Sequence, residues 1–159
     1  MAPFSIAMGA GMSVRKAKAG DVDEIIACIQ AAYEGYRQAG IALPPVADGV
    51  AEDVRDNQVW VWEQAGDIAG VLIAVAGAEN WHLANLAVDP AYAGRGLAKA
   101  LLARMEDAAH AFGVTNLALT THIAMPDNVT IYTRLGWIET GREGNKVFMA
   151  RRLGDATKE

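Results

Sequence analysis

At 159 residues the chain is long enough for one well-buried domain and too short for two comfortable ones. With 52% hydrophobic and 21% charged residues, it reads as a soluble globular protein rather than a disordered one. A net charge of -5 without any dense basic run argues against a nucleic-acid binder, and no apolar run approaches the ~20 residues of a membrane-spanning helix.

Residues 1–12 are expected to form an N-terminal extension without regular structure. Pro3, Gly9 and Gly11 interrupt them, and they lack the basic start of a signal peptide. A single domain is expected over 13–153, with a tail at 154–159. Cys28 is the one cysteine and sits in an apolar helical stretch, where it reads as a small buried hydrophobe. Without a second cysteine there is no intrachain disulfide, which suits a reducing cytoplasm.

Ser13 to Lys18 alternates like a short strand. Asp21 then opens a helix, with Glu24 completing a capping-box pattern and Ile25, Ile26, Ile29 and Tyr33 on its apolar face. The pattern runs to about Gln38 and stops at Gly40. A loop with Pro44-Pro45 and Gly49 follows, then a short helix over Ala51 to Arg55. Val59–Glu63 and Ile68–Val75 predict a hairpin around Ala65-Gly66-Asp67. Trp81 to Val88 is almost continuously apolar and reads as a central strand. A helix is expected from Gly94 to Phe112, with Leu97, Leu101, Leu102, Met105, Ala108, Ala109 and Phe112 on one face. A strand at Asn116–Thr121, a short helix from Pro126 to Leu135 and a terminal hairpin of Trp137–Thr140 with Lys146–Arg152 complete the order. Three hairpin-linked strands leading into a strand–helix–strand crossover predict a mixed sheet with helices on both faces.

The segment Leu86-Ala87-Val88-Asp89-Pro90-Ala91-Tyr92-Ala93-Gly94-Arg95-Gly96-Leu97-Ala98 carries the chemistry. It reads as a strand end, a Pro turn, a glycine-rich loop and a helix start, where free N–H groups and the helix dipole favour phosphate. A dinucleotide-binding loop does not fit. Lys99 occupies the third glycine position, and the following strand ends in Thr120-Thr121-His122 without an acidic residue. Without Gly-Lys-Ser/Thr, a Walker loop is excluded as well.

From about Val14 to Leu153 the chain resembles the GNAT acetyltransferases, whose acyl-coenzyme A loop has the signature Arg/Gln-x-x-Gly-x-Gly/Ala after apolar-x-Val-x-Pro. Val88, Pro90, Gly96 and Ala98 match, while Ala93 stands where Arg or Gln is usual. Downstream, Asn128-x-x-x-Tyr132-x-x-Leu135-Gly136-Trp137 is similar to the family element Tyr-x-x-x-Gly-Phe, with Trp in place of Phe.

This resemblance implies an α/β fold with a mixed, mostly antiparallel central sheet and helices on both faces. It also implies an N-acetyltransferase that uses acetyl-CoA and acetylates a primary amine of a small molecule or peptide by direct attack in a ternary complex. Leu86, Ala87, Val88, Ala93, Gly94, Arg95, Gly96, Leu97, Ala98, Asn128 and Tyr132 would then hold coenzyme A. The Val88 backbone N–H would meet the thioester oxygen, and Tyr132 would return a proton to the thiolate. Ala84 stands where many relatives carry a Glu base, which leaves His82, Glu34 or a water chain for that role. Tyr33, Glu34, Tyr36, Trp81 and Asn85, with Pro44 and Pro45 nearby, are the candidate amine-pocket residues. No metal, nucleic acid or membrane partner is expected, and the sequence leaves monomer and homodimer open. Ala84 and Ala93 also admit an alternative, a non-catalytic GNAT-fold protein that senses acyl-CoA or a metabolite.

Overall fold

The computed structural model describes residues 12–40, 47–123 and 125–154. In chain order these form β1 (Met12–Lys16), α1 (Val22–Gln38), α2 (Val50–Asp56), β2 (Gln58–Gln64), β3 (Asp67–Val75), β4 (Asn80–Val88), α3 (Leu97–Ala111), β5 (Asn116–His122), α4 (Pro126–Arg134), β6 (Ile138–Glu143) and β7 (Lys146–Arg152). The seven strands make one sheet in the order β1-β2-β3-β4-β5-β7-β6. Its pairings are mostly antiparallel, with β4 and β5 parallel as the crossover predicts. The expected N-terminal extension, apart from Met12, the loop prolines Pro44 and Pro45 and most of the tail lie outside the described residues.

The described residues form two compact units, one drawn from 12–40, 47–73 and 85–104 and the other from 74–84 and the described residues from 105 onward. In the first, β2 and β4 alternate between two apolar clusters, as pleated strands must. Val59, Val61 and Ala87 join Ile25, Cys28 and Ile29 of α1 on one side. Trp62 and Val88 join Leu97 and Ala100 of α3 on the other. The expected arrangement of helices on both faces is thus visible inside this unit. Ile25 and Ile29 are fully buried, each contributing about 1.5–3 kcal/mol of hydrophobic stabilisation.

Entry into α1 differs from the capping box. Asp21 ends a single 3-10 turn (Ala19–Asp21), and its side chain does not cap α1. Its carboxylate instead accepts the Lys18 N–H at 2.7 Å and a forked pair from the Arg15 guanidinium at 2.8 and 3.1 Å. Arg15 Nε also donates to Glu63 at 2.7 Å, so one guanidinium ties β1, β2 and the start of α1 together. The Arg15 fork outcompetes a cap on α1 for the Asp21 carboxylate because a charge-assisted fork is the stronger bond.

In the second unit β4 and β5 run parallel from Asn80↔Asn116 to Leu83↔Leu119. β5 pairs antiparallel with β7 over its full length, and β6 pairs with β7 across an irregularity between Glu139 and Gly141. Trp81, Leu117, Met149, Val147, Met105 and Trp137 form its interior. β4 is central in strand order, yet its burial alternates: Trp81, Leu83 and Ala87 are buried while His82 and Ala84 are exposed. A second correction concerns α3, which runs Leu97–Ala111 rather than Gly94 to Phe112. Gly94 and Gly96 have positive φ and cannot be helical, and Phe112, one residue past the end, is 75% exposed. The Phe112 ring lies 5.8 Å from that of Trp81 and otherwise faces solvent.

The Arg15 fork holds the Asp21 carboxyl below its ordinary pKa, the leading cause being the guanidinium hydrogen bonds. A lowered folded-state pKa gives stability that is present above the unfolded value, about 3.9, and lost as pH falls through the folded one. Asp21→Asn is therefore expected to cost about 1–3 kcal/mol in urea unfolding at neutral pH. The gap between variant and wild type should close in strong acid; a gap independent of pH would show that the ion pair is not its source.

Candidate functional site

Upstream of α3 the backbone is set by local bonds. The Asp89 N–H donates to the Ala69 carbonyl at 2.9 Å, anchoring the end of β4 to β3. Pro90 then starts a 3-10 turn (Pro90–Tyr92), in which the Asp89 carboxylate accepts the Ala91 N–H at 2.9 Å and the Asp89 carbonyl accepts the Tyr92 N–H at 2.8 Å. The proline's fixed φ and missing N–H suit that first position. Ala93 is extended, and the chain then passes through Gly94 at φ +78 and Gly96 at φ +82. L-residues with a Cβ rarely adopt such backbone, so glycine is strongly favoured at both places.

No heavy atom lies within 4 Å of where a Cβ would stand on either glycine, so the loop backbone is bare on that side. The Ala100 N–H donates to the Gly96 carbonyl at 3.0 Å, beginning the α3 ladder. The N–H groups of Leu97, Ala98 and Lys99 therefore precede the first intrahelical donor. Arg95, exposed between the glycines, has its guanidinium carbon 5.3 Å from the centre of the Tyr92 ring. Sequence reasoning missed Tyr92, although an aromatic residue three positions before the cation was the available signal.

Leu86, Ala87 and Val88 lead into this loop; Ala87 is buried and the other two are half-buried. Of the expected amine-pocket residues, the first unit brings Tyr33, Tyr36 and Asn85 together. The Tyr33 hydroxyl donates to Asn85 Oδ1 at 3.3 Å, linking α1 to β4, and the two tyrosine rings lie 6.3 Å apart. Burial pushes the Tyr33 phenol above its ordinary pKa, with Tyr36 adding to the effect, so it remains a donor at neutral pH. Glu34 turns away from this group. On the outer face of α1 it accepts from Arg37, and from Gln38 at 3.1 Å, and Arg37 holds its carboxyl below the usual range.

Trp81 is a correction: it is 1% exposed and packs in the core of the second unit instead of lining a pocket. Its position follows from the β4 alternation, which turns Trp81 and Leu83 inward and His82 outward. Partial burial of the His82 imidazole against the rest of the fold lowers its pKa below the ordinary 6.5. Ala84 shares the exposed side of β4 and offers no carboxylate.

In the second unit Tyr132 is 8% exposed, its ring edge-on to Trp137 at 5.8 Å and 60°. Asn128 does not cap α4, whose N-cap is Met125. Its side-chain amide donates to Thr121 Oγ1 at 3.3 Å, tying α4 to β5. Cys28 is 3% exposed and its thiol is pushed up to about 11 by burial, in keeping with a packing role. Among the described residues no three His, Cys, Asp or Glu side chains cluster as metal ligands, and no helix is long and apolar enough to cross a membrane.

A family model described as an acetyltransferase (GNAT) domain matches residues 36–149. The chain is 31% identical over 93 residues to N-acetyltransferase 8 of Rattus norvegicus, covering 55% of this chain and 42% of that protein. It is 30% identical over 94 residues to N-acetyltransferase 8 of Mus musculus, covering 55% and 41%. The chain thus spans about two fifths of the length of these relatives. In fold it is similar to the PaiA N-acetyltransferase of Thermoplasma acidophilum, solved in complex with coenzyme A, with a TM-score of 0.80 at 15% identity over 89% of this chain and 98% of that one. It is also similar to the ribosomal-protein-S18-alanine N-acetyltransferase of Escherichia coli, with a TM-score of 0.70 at 20% identity over 92% and 97%.

Proposed function

The chain belongs to the family of GNAT acetyltransferase domains, and from that premise we propose that it transfers an acetyl group from acetyl-CoA to a primary amine of a small molecule or peptide. The observation that carries this reading is the pair of left-handed glycines, Gly94 and Gly96, on a bare backbone at the start of α3. That cradle fits a diphosphate: nothing fills it, no Cβ obstructs it, and the helix N-terminus behind it favours an anion. Leu86–Ala98 form the cofactor segment, with the N–H groups of Gly96, Leu97 and Ala98 on the diphosphate. Arg95 adds the one charged side chain of the loop. The β4–β5 ladder ends at Leu83↔Leu119, and the β4 edge beyond it is offered for the pantetheine amides.

When bound, acetyl-CoA supplies an activated thioester with a thiolate leaving group. The Val88 N–H donates to the thioester oxygen as negative charge builds there, and Tyr132 delivers a proton to the departing sulfur. Asn128 holds the start of α4, the helix that carries Tyr132, through its bond to Thr121. His82 is proposed to take the proton from the amine, since its lowered pKa keeps it neutral at physiological pH. Tyr33, Tyr36 and Asn85 form the acceptor side, with the amine attacking directly in a ternary complex.

The test is a free-thiol assay with acetyl-CoA and a panel of amines. Thiol release with at least one amine is expected. Tight acetyl-CoA binding without release for any amine is the outcome of the sensing alternative and would overturn the enzyme reading. Gly96→Asp places a carboxylate against the diphosphate, and Asp tolerates left-handed backbone better than most residues. We expect a folded protein, by thermal unfolding, that no longer binds coenzyme A in calorimetry; unchanged affinity would remove the loop from the site. Tyr132→Phe should slow turnover about 10²-fold or more with acetyl-CoA affinity retained. A large affinity loss instead would make Tyr132 a binding group. For His82, kcat/KM should fall on the acid side with a midpoint below about 6.5, and His82→Gln should abolish that limb. Its persistence in the variant would place the base elsewhere.

A further inference from the structure

We propose that Tyr92 is a positioning residue for phosphate binding: it carries the Arg95 guanidinium on its ring face and aims it at the cofactor diphosphate. The inference rests on the acyl-coenzyme A reading of the loop and goes beyond it in assigning a residue outside the glycine motif. Tyr92 is well held for such a role. Its N–H and those of Ala91 and Ala93 are bonded within the Pro90 turn, at 2.8, 2.9 and 3.2 Å. Its half-buried ring packs against the cluster of Trp62, Ala69 and Leu97, which fixes the ring relative to the first turn of α3.

Arg95 sits between two residues whose left-handed backbone is fixed, so its remaining freedom lies in the side chain. A free Arg side chain loses rotamer entropy when a ligand orders it, and prior stacking removes part of that loss. A ring under the guanidinium carbon takes up none of its N–H donors in a hydrogen bond, which leaves them for a forked bond to phosphate. The arrangement matters more here because Ala93 offers no polar group where Arg or Gln is usual, leaving Arg95 as the only charged side chain from Ala93 to Ala98.

The experiment is a double-mutant cycle on the full chain, with Tyr92→Leu, Arg95→Gln and the double variant. Tyr92→Phe is the conservative control. Coenzyme A and dephospho-coenzyme A, which lacks the ribose phosphate, are titrated by calorimetry, and thermal unfolding confirms that each variant is folded. Tyr92→Leu should weaken both ligands by the same factor, roughly two- to fivefold. Tyr92→Phe should bind like the wild type, and adding Tyr92→Leu to Arg95→Gln should cost nothing further. An undiminished loss in the Arg95→Gln background would overturn the proposal, since Tyr92 would then act through loop structure alone. A loss seen only with coenzyme A would move Arg95 to the ribose phosphate and overturn it too, as would no loss at all. A wild type that binds neither ligand would sink the cofactor reading, and this inference with it.

Discussion

Left-handed backbone on both sides of Arg95 is the constraint on which the site depends. With Gly94 at φ +78 and Gly96 at φ +82, the chain leaving β4 reverses hand twice before the helical ladder begins at the Ala100 to Gly96 bond. Each reversal would cost a residue with a Cβ about 1–2 kcal/mol. The same geometry withholds Leu97, Ala98 and Lys99 from any intrahelical acceptor, so the loop offers N–H groups that the fold itself leaves over. The proposed binding groups and the helix start therefore come from one piece of backbone.

That backbone is held from behind by the two-sided core of the first unit. Ala87 faces the α1 cluster and Val88 the α3 cluster, so adjacent β4 residues are gripped from opposite faces just before the loop. Asp89, next in line, is bonded to Ala69 through its N–H and caps the following turn through its carboxylate. Further along β4, Asn85 accepts from the Tyr33 hydroxyl, a link worth about 0.5–1.5 kcal/mol that ties α1 to the strand leading into the loop. At the far end of α1, the Arg15 fork fixes how the helix leaves β1.

Much of this was legible in the sequence, and the misses share a cause. The order of elements along the chain, the two faces of helices and the glycine loop follow from periodicity and turn chemistry, which are local. What failed depended on which of several side-chain partners a group takes, or on one-residue choices. Asp21 looked like a helix cap because Glu24 completes the pattern, but Arg15 and the Lys18 N–H took its carboxylate. Glu34 was a candidate for the pocket until Arg37 and Gln38, one turn on, engaged it. Trp81 was placed on the wrong face because an apolar run does not reveal which side of a central strand points inward. Gly94 was assigned to a helix that its positive φ forbids, and the Tyr92–Arg95 contact went unread because it joins a turn residue to a loop residue, where a three-residue spacing does not fix a shared face.

The most direct test of the account is a coenzyme A titration of isotope-labelled protein followed at the backbone amides of Gly94–Ala98. If this backbone holds the diphosphate, the amides of Gly96, Leu97 and Ala98 should shift together and saturate at the ligand's own dissociation constant. Binding of coenzyme A with these amides unmoved would contradict it.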